Sequence, residues 1–506
     1  MELGGAGTLF LAACVSCLIF LWKWKLQQQS NRLPPGPTPL PFLGNVLQLS
    51  WGDLFESLIM LGEKYGPVFT VYLGPRPVVV LCGHKAVKQA LVDHAEKFSG
   101  RGRMPTLDRI FHGYGVILAN GQRWKQLRQF SITTLRNFGM GKRSLEERIT
   151  EEAQCLVEEI RKTNGLWLFC PISHTVANVI CAITFGERFD YQDEKFRAQS
   201  SLREPTLLRP FSFCSANFLF SALSPAFPPQ LYEMFPSIMQ FLPGPHNDVL
   251  QDVKVLHDFI IERVQMNQKT LDLGCPRDYI DSFLIKMEEE KQNPLSEFNI
   301  KNLTLSAVHL FFGGTEMVSS TLRYGFLLLM KYPAIQEKVQ KEIDCVIGQN
   351  RSPATEDRGQ MPYTHAVIHE IQRFSNIIPL GIPHAVIQDT QYWGYTLPKG
   401  TDVFCLLGSA LRDPQYFSNP EHFDPGNFLD ENGNFKKNEA FFAFSSGKRV
   451  CLGEGLARME LFLVFTTILQ HFTLKSPIDP QEINLTPKAS GFWNIPPGYK
   501  LCACPR

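Results

Sequence analysis

Apolar residues recur every three to four positions along 140–163, 247–268, 303–330 and 333–347, and that spacing predicts helices. The run 303–330 is strongly apolar and reads as a helix covered on most sides. Its middle, "FFGGTEMVSS" at 311–320, sets paired glycines and a carboxylate inside that run. A different pattern occupies 68–83, "VFTVYLGPRPVVVLCG", where Gly-Pro interrupts two β-rich runs and predicts a hairpin. Residues 411–440 are rich in Pro, Asn and Asp and predict a long ordered coil, a feature that usually serves function inside a compact body. The expected class is mainly α with a small β region.

The N-terminal part of the hydropathy pattern differs from this body. Residues 3–22, "LGGAGTLFLAACVSCLIFLW", carry no charge and are about long enough to cross a bilayer as a helix. Lys23, Lys25 and Arg32 follow the run, whereas a secretory signal carries its charge before a shorter apolar core. The reading is an uncleaved single N-terminal transmembrane anchor with the body on the cytoplasmic side. The Asn-x-Thr sequons at Asn302 and Asn484 would then stay unmodified. "LPPGPTPLPFLGN", 33–45, is too proline-dense for helix and reads as a stiff spacer. The expected division is an anchor over 1–25, a Pro-rich hinge over 26–45 and a catalytic domain over 46–506.

Charge and cysteine content narrow the function. Lys plus Arg number 50 and Asp plus Glu 49, for a net charge of +1, which argues against a nucleic-acid binder acting through bulk charge. The 13 cysteines are odd in number and show no paired C-x-x-C clusters of zinc spacing, since Cys14 and Cys17 lie in the apolar run, so the expected compartment is reducing. One of them stands apart. Cys451 lies in "FSSGKRVCLG", 444–453, just ahead of the apolar stretch "EGLARMELFLVFTTILQHF". A thiol before a helix N-terminus meets free N–H groups and the positive end of the dipole, and Arg449 adds a cation, so thiolate is favoured. Such a thiolate suits iron. From the residues alone, a haem ligand, a buried structural cysteine and a nucleophile without an evident His and Asn partner set all stay open.

The segment 444–453 resembles the cysteine-ligand loop of the cytochrome P-450 superfamily, F-x-x-G-x-R-x-C-x-G, at every fixed position. "WKQLR" at 124–128 is similar to that family's W-x-x-x-R, and "EIQR" at 370–373 to its E-x-x-R. The anchor, the hinge and "PYTHAVIHEIQRFSNIIPLGIPH" resemble microsomal vertebrate family 2, its olfactory and xenobiotic-metabolising subfamilies above all. The resemblance spans essentially the whole chain. It implies the P-450 fold, haem b held by the Cys451 thiolate, and haem propionates bound by Arg101, Trp124, Arg128, His384 and Arg449. It implies a buried Glu370–Arg373 pair, with Asn427 where the family carries Arg or His. "GGTEM" matches the family's (A/G)-G-x-(D/E)-T: Gly313 and Gly314 would leave room for haem and dioxygen and loosen the helix, and Glu316 would be the acid of a proton-delivering acid–alcohol pair.

Two departures stand out against that resemblance. Met317 replaces the alcohol, although a methionine in a helix is ordinarily core filler. Residues 203–229 carry five prolines where the family places the helix that roofs its pocket, so a continuous helix cannot run there. A remodelled lid, a membrane-dipping loop and a sequence without a working fold remain open for that stretch. The implied activity is a monooxygenase of the endoplasmic reticulum membrane, its catalytic domain facing the cytoplasm. It would insert one atom of O2 into small apolar substrates (xenobiotic, steroid or fatty acid), with electrons from NADPH through cytochrome P-450 reductase and cytochrome b5 as a candidate second donor. The substrate pocket would use Val308, Phe312, Gly313, Ile377, Leu380, Ile382 and Phe492. Lys125, Arg136, Lys142 and Arg458 are the expected reductase-docking residues. The rival readings are a peroxide-driven enzyme or isomerase and a haem-binding pseudoenzyme.

Overall fold

The spacing of apolar residues becomes ten helices of more than ten residues among those described. The computed structural model describes residues 33–50, 53–140, 143–163, 166–167, 170–191, 232–242, 245–487 and 492–506. The apolar run 3–22, the proline-rich 203–229 and Lys142 lie outside them. No helix among the described residues is long and apolar enough to cross a membrane.

The long helices are α1 (Leu54–Tyr65), α2 (Gly121–Asn137), α3 (Arg143–Lys162), α4 (Cys170–Thr184), α5 (Pro245–Lys269), α6 (Tyr279–Glu289), α7 (Ile300–Lys331), α8 (Pro333–Val346), α9 (Pro362–Ser375) and α10 (Glu454–His471). Local chemistry fixes several ends. The Asn299 side chain accepts the Asn302 N–H at the start of α7, and proline opens α8 and α9, where a missing N–H costs nothing. Helix α7 is buried along most of its 32 residues and packs against α3's partner α4, and α10 is apolar all round because protein surrounds it. The main core lies between these elements, with Ile149, Ile180, Phe311, Phe326, Phe465 and Ile468 buried in it.

Among the described residues the strands form three small sheets: one of five strands, one of β4 (Leu166–Trp167), β9 (Phe472–Lys475) and β10 (Leu501–Pro505), and one of β6 (Thr390–Tyr392) and β7 (Tyr395–Leu397). β1 (Val68–Leu73) and β2 (Arg76–Leu81) make the expected hairpin, with Val68 opposite Leu81 and Leu73 opposite Arg76. β2 pairs in parallel with β8 (Asp402–Cys405), β8 antiparallel with β5 (His384–Ala385) and β5 antiparallel with β3 (Gly100–Arg101), so the sheet order is β1-β2-β8-β5-β3. Its far edge matters most for the site. β3 (Gly100–Arg101) and β5 (His384–Ala385) are two residues each and set Arg101 directly opposite His384.

The coil after residue 411 is held by a buried pair on α9. Arg373 donates to both carboxylate oxygens of Glu370 at 2.7 Å, and both side chains are fully buried. The remaining N–H groups of Arg373 reach the carbonyls of Leu411, Pro420 and His422, at 3.1, 2.8 and 2.9 Å. The Asp424 N–H donates to Glu370 at 2.8 Å, while Asn427 Nδ2 stands 3.4 Å from both Glu370 oxygens. The position that carries a cation in the implied pattern is thus a neutral amide that reaches the carboxylate through two long hydrogen bonds.

Candidate active site

Helix α7 and the loop that carries Cys451 face each other across a cavity of about 340 Å³. The loop is shaped by Gly447, whose φ is +70° and where an added Cβ would sit 1.7 Å from the Leu91 carbonyl oxygen. Only glycine fits there. At Gly453 an added Cβ would meet nothing within 4 Å, so the backbone offers the cavity an open face. The Cys451 N–H bonds the Phe444 carbonyl at 3.0 Å, and the thiol is exposed toward the cavity that it lines. Burial within the protein pushes the thiol up; the Gly453 N–H and Arg128 oppose this, and Glu454 adds to it. The expected cation beside the sulfur was Arg449, and the structure supplies Arg128 instead. Arg128 Nη2 donates to the Val450 carbonyl at 2.7 Å and so ties α2 to the loop.

Arg449 has another position. Its guanidinium lies 3.9 Å from the Trp124 ring centroid and donates to the carbonyls of Ser99 and Ala119 at 2.7 and 2.8 Å. Arg101 donates to the Ile117 carbonyl at 3.0 Å. Among the described residues none of Arg101, Arg128 and Arg449 pairs with a carboxylate, yet all three line the cavity. Burial and mutual repulsion push Arg101 down to about 10 and Arg449 down to about 8. Three crowded cations without a counter-ion make a receptor for an anionic group. His384 joins them. Its Nδ1 lies 2.7 Å from the Phe98 carbonyl, which can only accept, so Nδ1 carries the proton. Burial, then Arg101, hold the ring neutral with its pKa near 3. A neutral ring would turn a lone pair outward from Nε2, so His384 can meet an anion only as imidazolium.

The α7 wall departs from expectation at several positions. The helix runs unbroken from Ile300 to Lys331, without the loosening expected at its glycines. The two glycines also differ in role. A Cβ at Gly313 would meet only Ile117, at 4.0 Å, so this residue opens the cavity. A Cβ at Gly314 would come within 2.8 Å of Ile180, so Gly314 is required for the approach of α4. Met317 lines the cavity, whereas Glu316 is buried beside it and is not a lining residue. Among the described residues Glu316 Oε1 has no hydrogen-bond partner, and burial raises its carboxyl to about 8 despite Arg323. It therefore holds a proton at neutral pH. The hydroxyl one turn on, Thr321, lines the cavity and donates to the Met317 carbonyl at 2.8 Å.

Val308, Phe312, Gly313, Ile377, Ile382 and Phe492 line the cavity. Leu380 does not. It is fully buried in a separate core cluster with Val71, Phe404 and Leu406, so its place in the pocket is corrected: "IIPLGI" turns it away while Ile377 and Ile382 face in. Sequence reasoning missed His309, Trp493 and Glu460, which also line the cavity and carry polar atoms without hydrogen-bond partners among the described residues. His309 had a signal, as the only titratable residue of the apolar run 303–312. Glu460, on α10, is held neutral by burial.

A thiol on one wall, an open helix face on the other and a lining cluster of guanidiniums with no carboxylate partner among the described residues are what a haem-thiolate site would need. The cytochrome P450 family model matches residues 34–503, and the chain belongs to that family of haem-thiolate monooxygenases. Within it the chain is similar to cytochrome P450 2G1 of Oryctolagus cuniculus, 58% identical over 512 residues that span 100% of both chains. It is 56% identical to cytochrome P450 2G1 of Rattus norvegicus over 99% of each chain, and 54% identical to cytochrome P450 2A13 of Homo sapiens over 98% of each. These relatives place it in vertebrate family 2.

Proposed function

We propose that the cavity holds haem b with Cys451 as the iron ligand, and that the chain oxygenates small apolar substrates of the xenobiotic, steroid or fatty-acid kind. The observation that carries this reading is that Cys451 and three guanidiniums, without carboxylate partners among the described residues, line one apolar cavity. Two propionates would satisfy that cluster. Arg101, Arg128, Arg449 and His384 would hold them, with Trp124 stacked beneath Arg449; the propionate charge would also favour the imidazolium that His384 needs. When bound, the haem supplies dioxygen activation assisted by thiolate electron donation. This chain's residues do the rest. Arg128 fixes the Val450 carbonyl next to the ligand and offsets the thiolate charge. Val308, Phe312, Gly313, Ile377, Ile382 and Phe492 exclude water and hold an apolar substrate, and Glu316 stores a proton behind the wall. Electrons would come from NADPH through its cytochrome P-450 reductase, with cytochrome b5 as second donor. The apolar run 3–22 would anchor the chain in the endoplasmic reticulum membrane, with 26–45 as hinge and 46–506 as the cytoplasmic catalytic domain.

One observation favours a second reading. Met317 stands on the cavity wall where the family has an alcohol, and the nearest hydroxyl on that stripe, Thr321, is bonded to the Met317 carbonyl. A peroxide-driven or isomerase activity, or haem binding without turnover, would follow if no proton crosses that wall. The test of the main reading is spectroscopic. The full chain, reduced and saturated with carbon monoxide, is expected to give the thiolate-type Soret band, and Cys451→Ala is expected to lose it. Retention of the band in Cys451→Ala would overturn the ligand assignment.

A further inference from the structure

Helix α7 is closed in by protein over nearly its whole length. From 302 to 330 every residue is buried except Phe312, Gly313, Gly314 and Met317, and these four all line the cavity. Met317 is four residues from Gly313 and three from Gly314, so they share one face of the helix. Phe312 and the two glycines have no heteroatom in their side chains. Met317 is therefore the only one of the four whose side chain has a lone pair to give. The polar groups beside this opening are engaged or enclosed. His309 Nδ1 accepts the Ile117 N–H at 3.3 Å and its Nε2 is buried, while Thr321 Oγ1 donates to the Met317 carbonyl at 2.8 Å.

The helix also leaves the thioether a clear path. A long side chain on a helix leans back over the residue four positions before it, which here is Gly313. An added Cβ at Gly313 would meet only Ile117, at 4.0 Å, so nothing on the preceding turn fills that space. Across the cavity stands Cys451, exposed where it lines the facing wall. One apolar cavity thus holds a thioether on one side and a thiol on the other. A thioether is a soft donor that needs no deprotonation, and haem iron accepts it as an axial ligand. Methionine has three rotatable bonds, so Sδ can advance and withdraw while the helix stays still.

We propose that the Met317 thioether is a displaceable sixth ligand of the haem iron, trans to the Cys451 thiolate. It caps the iron against dioxygen and peroxide until a bound substrate or a stronger ligand drives it off. This rests on the reading that the cavity holds haem on Cys451. The exchange moves no proton and no electron, since one Fe–S bond forms or breaks.

The test is X-ray absorption at the iron edge on the ferric full-chain holoprotein, grown once with ordinary methionine and once with selenomethionine. The expected result is two sulfur neighbours of iron in the first and one sulfur plus one selenium in the second. Met317→Leu, which keeps the bulk and removes the sulfur, is expected to leave a single sulfur in both. Met104 also lines the cavity, and this variant separates the two methionines. Imidazole is the second probe, titrated by the Soret shift. A capped state that holds about nine-tenths of the protein lowers apparent affinity roughly tenfold, so Met317→Leu is expected to bind imidazole roughly tenfold tighter. A single sulfur neighbour in unaltered protein that shows the thiolate carbon-monoxide band would overturn the proposal. So would a selenium neighbour that persists in Met317→Leu, or equal imidazole affinities in the two proteins. Absence of that band from the unaltered chain would instead overturn the haem reading on which the proposal stands.

Discussion

A thioether accepts hydrogen bonds weakly and donates none, so Met317 cannot pass a proton as a threonine hydroxyl can. Its bulk on the cavity wall also displaces ordered water, the other relay available to Glu316. Glu316 does hold a proton at neutral pH, but behind the wall rather than on it. The expected outcome in a reductase-supported assay is poor coupling: most NADPH consumed appears as hydrogen peroxide and superoxide. Met317→Thr should raise product formed per NADPH several-fold. A peroxide oxygen donor distinguishes the two defects, since it rescues a missing proton but not a blocked face. Tight coupling in the unaltered chain would mean that Glu316 has another route. At this scale the sequence was informative where chemistry is unusual and mute where orientation decides. Cys451 and Met317 were legible because a thiol between glycines and a thioether after a carboxylate are local facts. The absence of Glu316 from the wall, the turning away of Leu380 and the orphan nitrogen of His309 were not. In a helix or loop buried on every side, hydropathy does not say which face meets a cavity.

Helix α9 and the coil after it show how one element is fastened to another by a few polar atoms. Arg373 is fully buried, and its neighbours apart from Glu370 are carbonyls, so the carboxylate is what balances its charge. Removing one partner of such a pair leaves a buried charge uncompensated, which costs about 3–5 kcal/mol. Glu370→Ala is therefore expected to lower the unfolding free energy of the holoprotein, read from a urea titration, by an amount in that range. Glu370→Leu combined with Arg373→Leu should cost less than the two single changes together. A change below about 1 kcal/mol in Glu370→Ala would remove the clamp from the account of the fold. The long elements were legible from periodicity, and the spans predicted at 140–163, 247–268, 303–330 and 333–347 lie within two or three residues of the helices found. The strands that build the site were not. β3 and β5 have two residues each, and what places Arg101 opposite His384 is a pairing across 283 positions, with no local pattern to announce it. The continuity of α7 through Gly313-Gly314 has a packing cause: Gly314 lets α4 approach, and Ile180 then supports the helix where it was expected to loosen.

At the scale of the molecule, charge is nearly balanced, so recognition of a redox partner would depend on where cations are left unpaired. The four docking residues expected from sequence are not equivalent. Lys142 lies outside the described residues. Lys125 stands 3.7 Å from Glu96, which Lys448 shares at 3.5 Å, and both contacts are exposed. Arg458 is bonded to Glu454 at 2.9 Å and to His369 Nε2 at 2.7 Å, so its charge is largely engaged within the protein. Arg136, in the last turn of α2, is exposed and has no carboxylate in ion-pair contact among the described residues. Of the four it is thus the cation most available to an acidic partner. Arg136→Glu should slow the reductase-driven reduction of the haem several-fold at low ionic strength, and Lys125→Glu should slow it less, because Glu96 already screens that lysine. Both effects should shrink as salt shortens the Debye length below about 10 Å. Stopped-flow reduction trapped by carbon monoxide, repeated over a salt series, measures them directly. If Arg136→Glu leaves both the rate and its salt slope unchanged, the reductase does not dock on this face of α2.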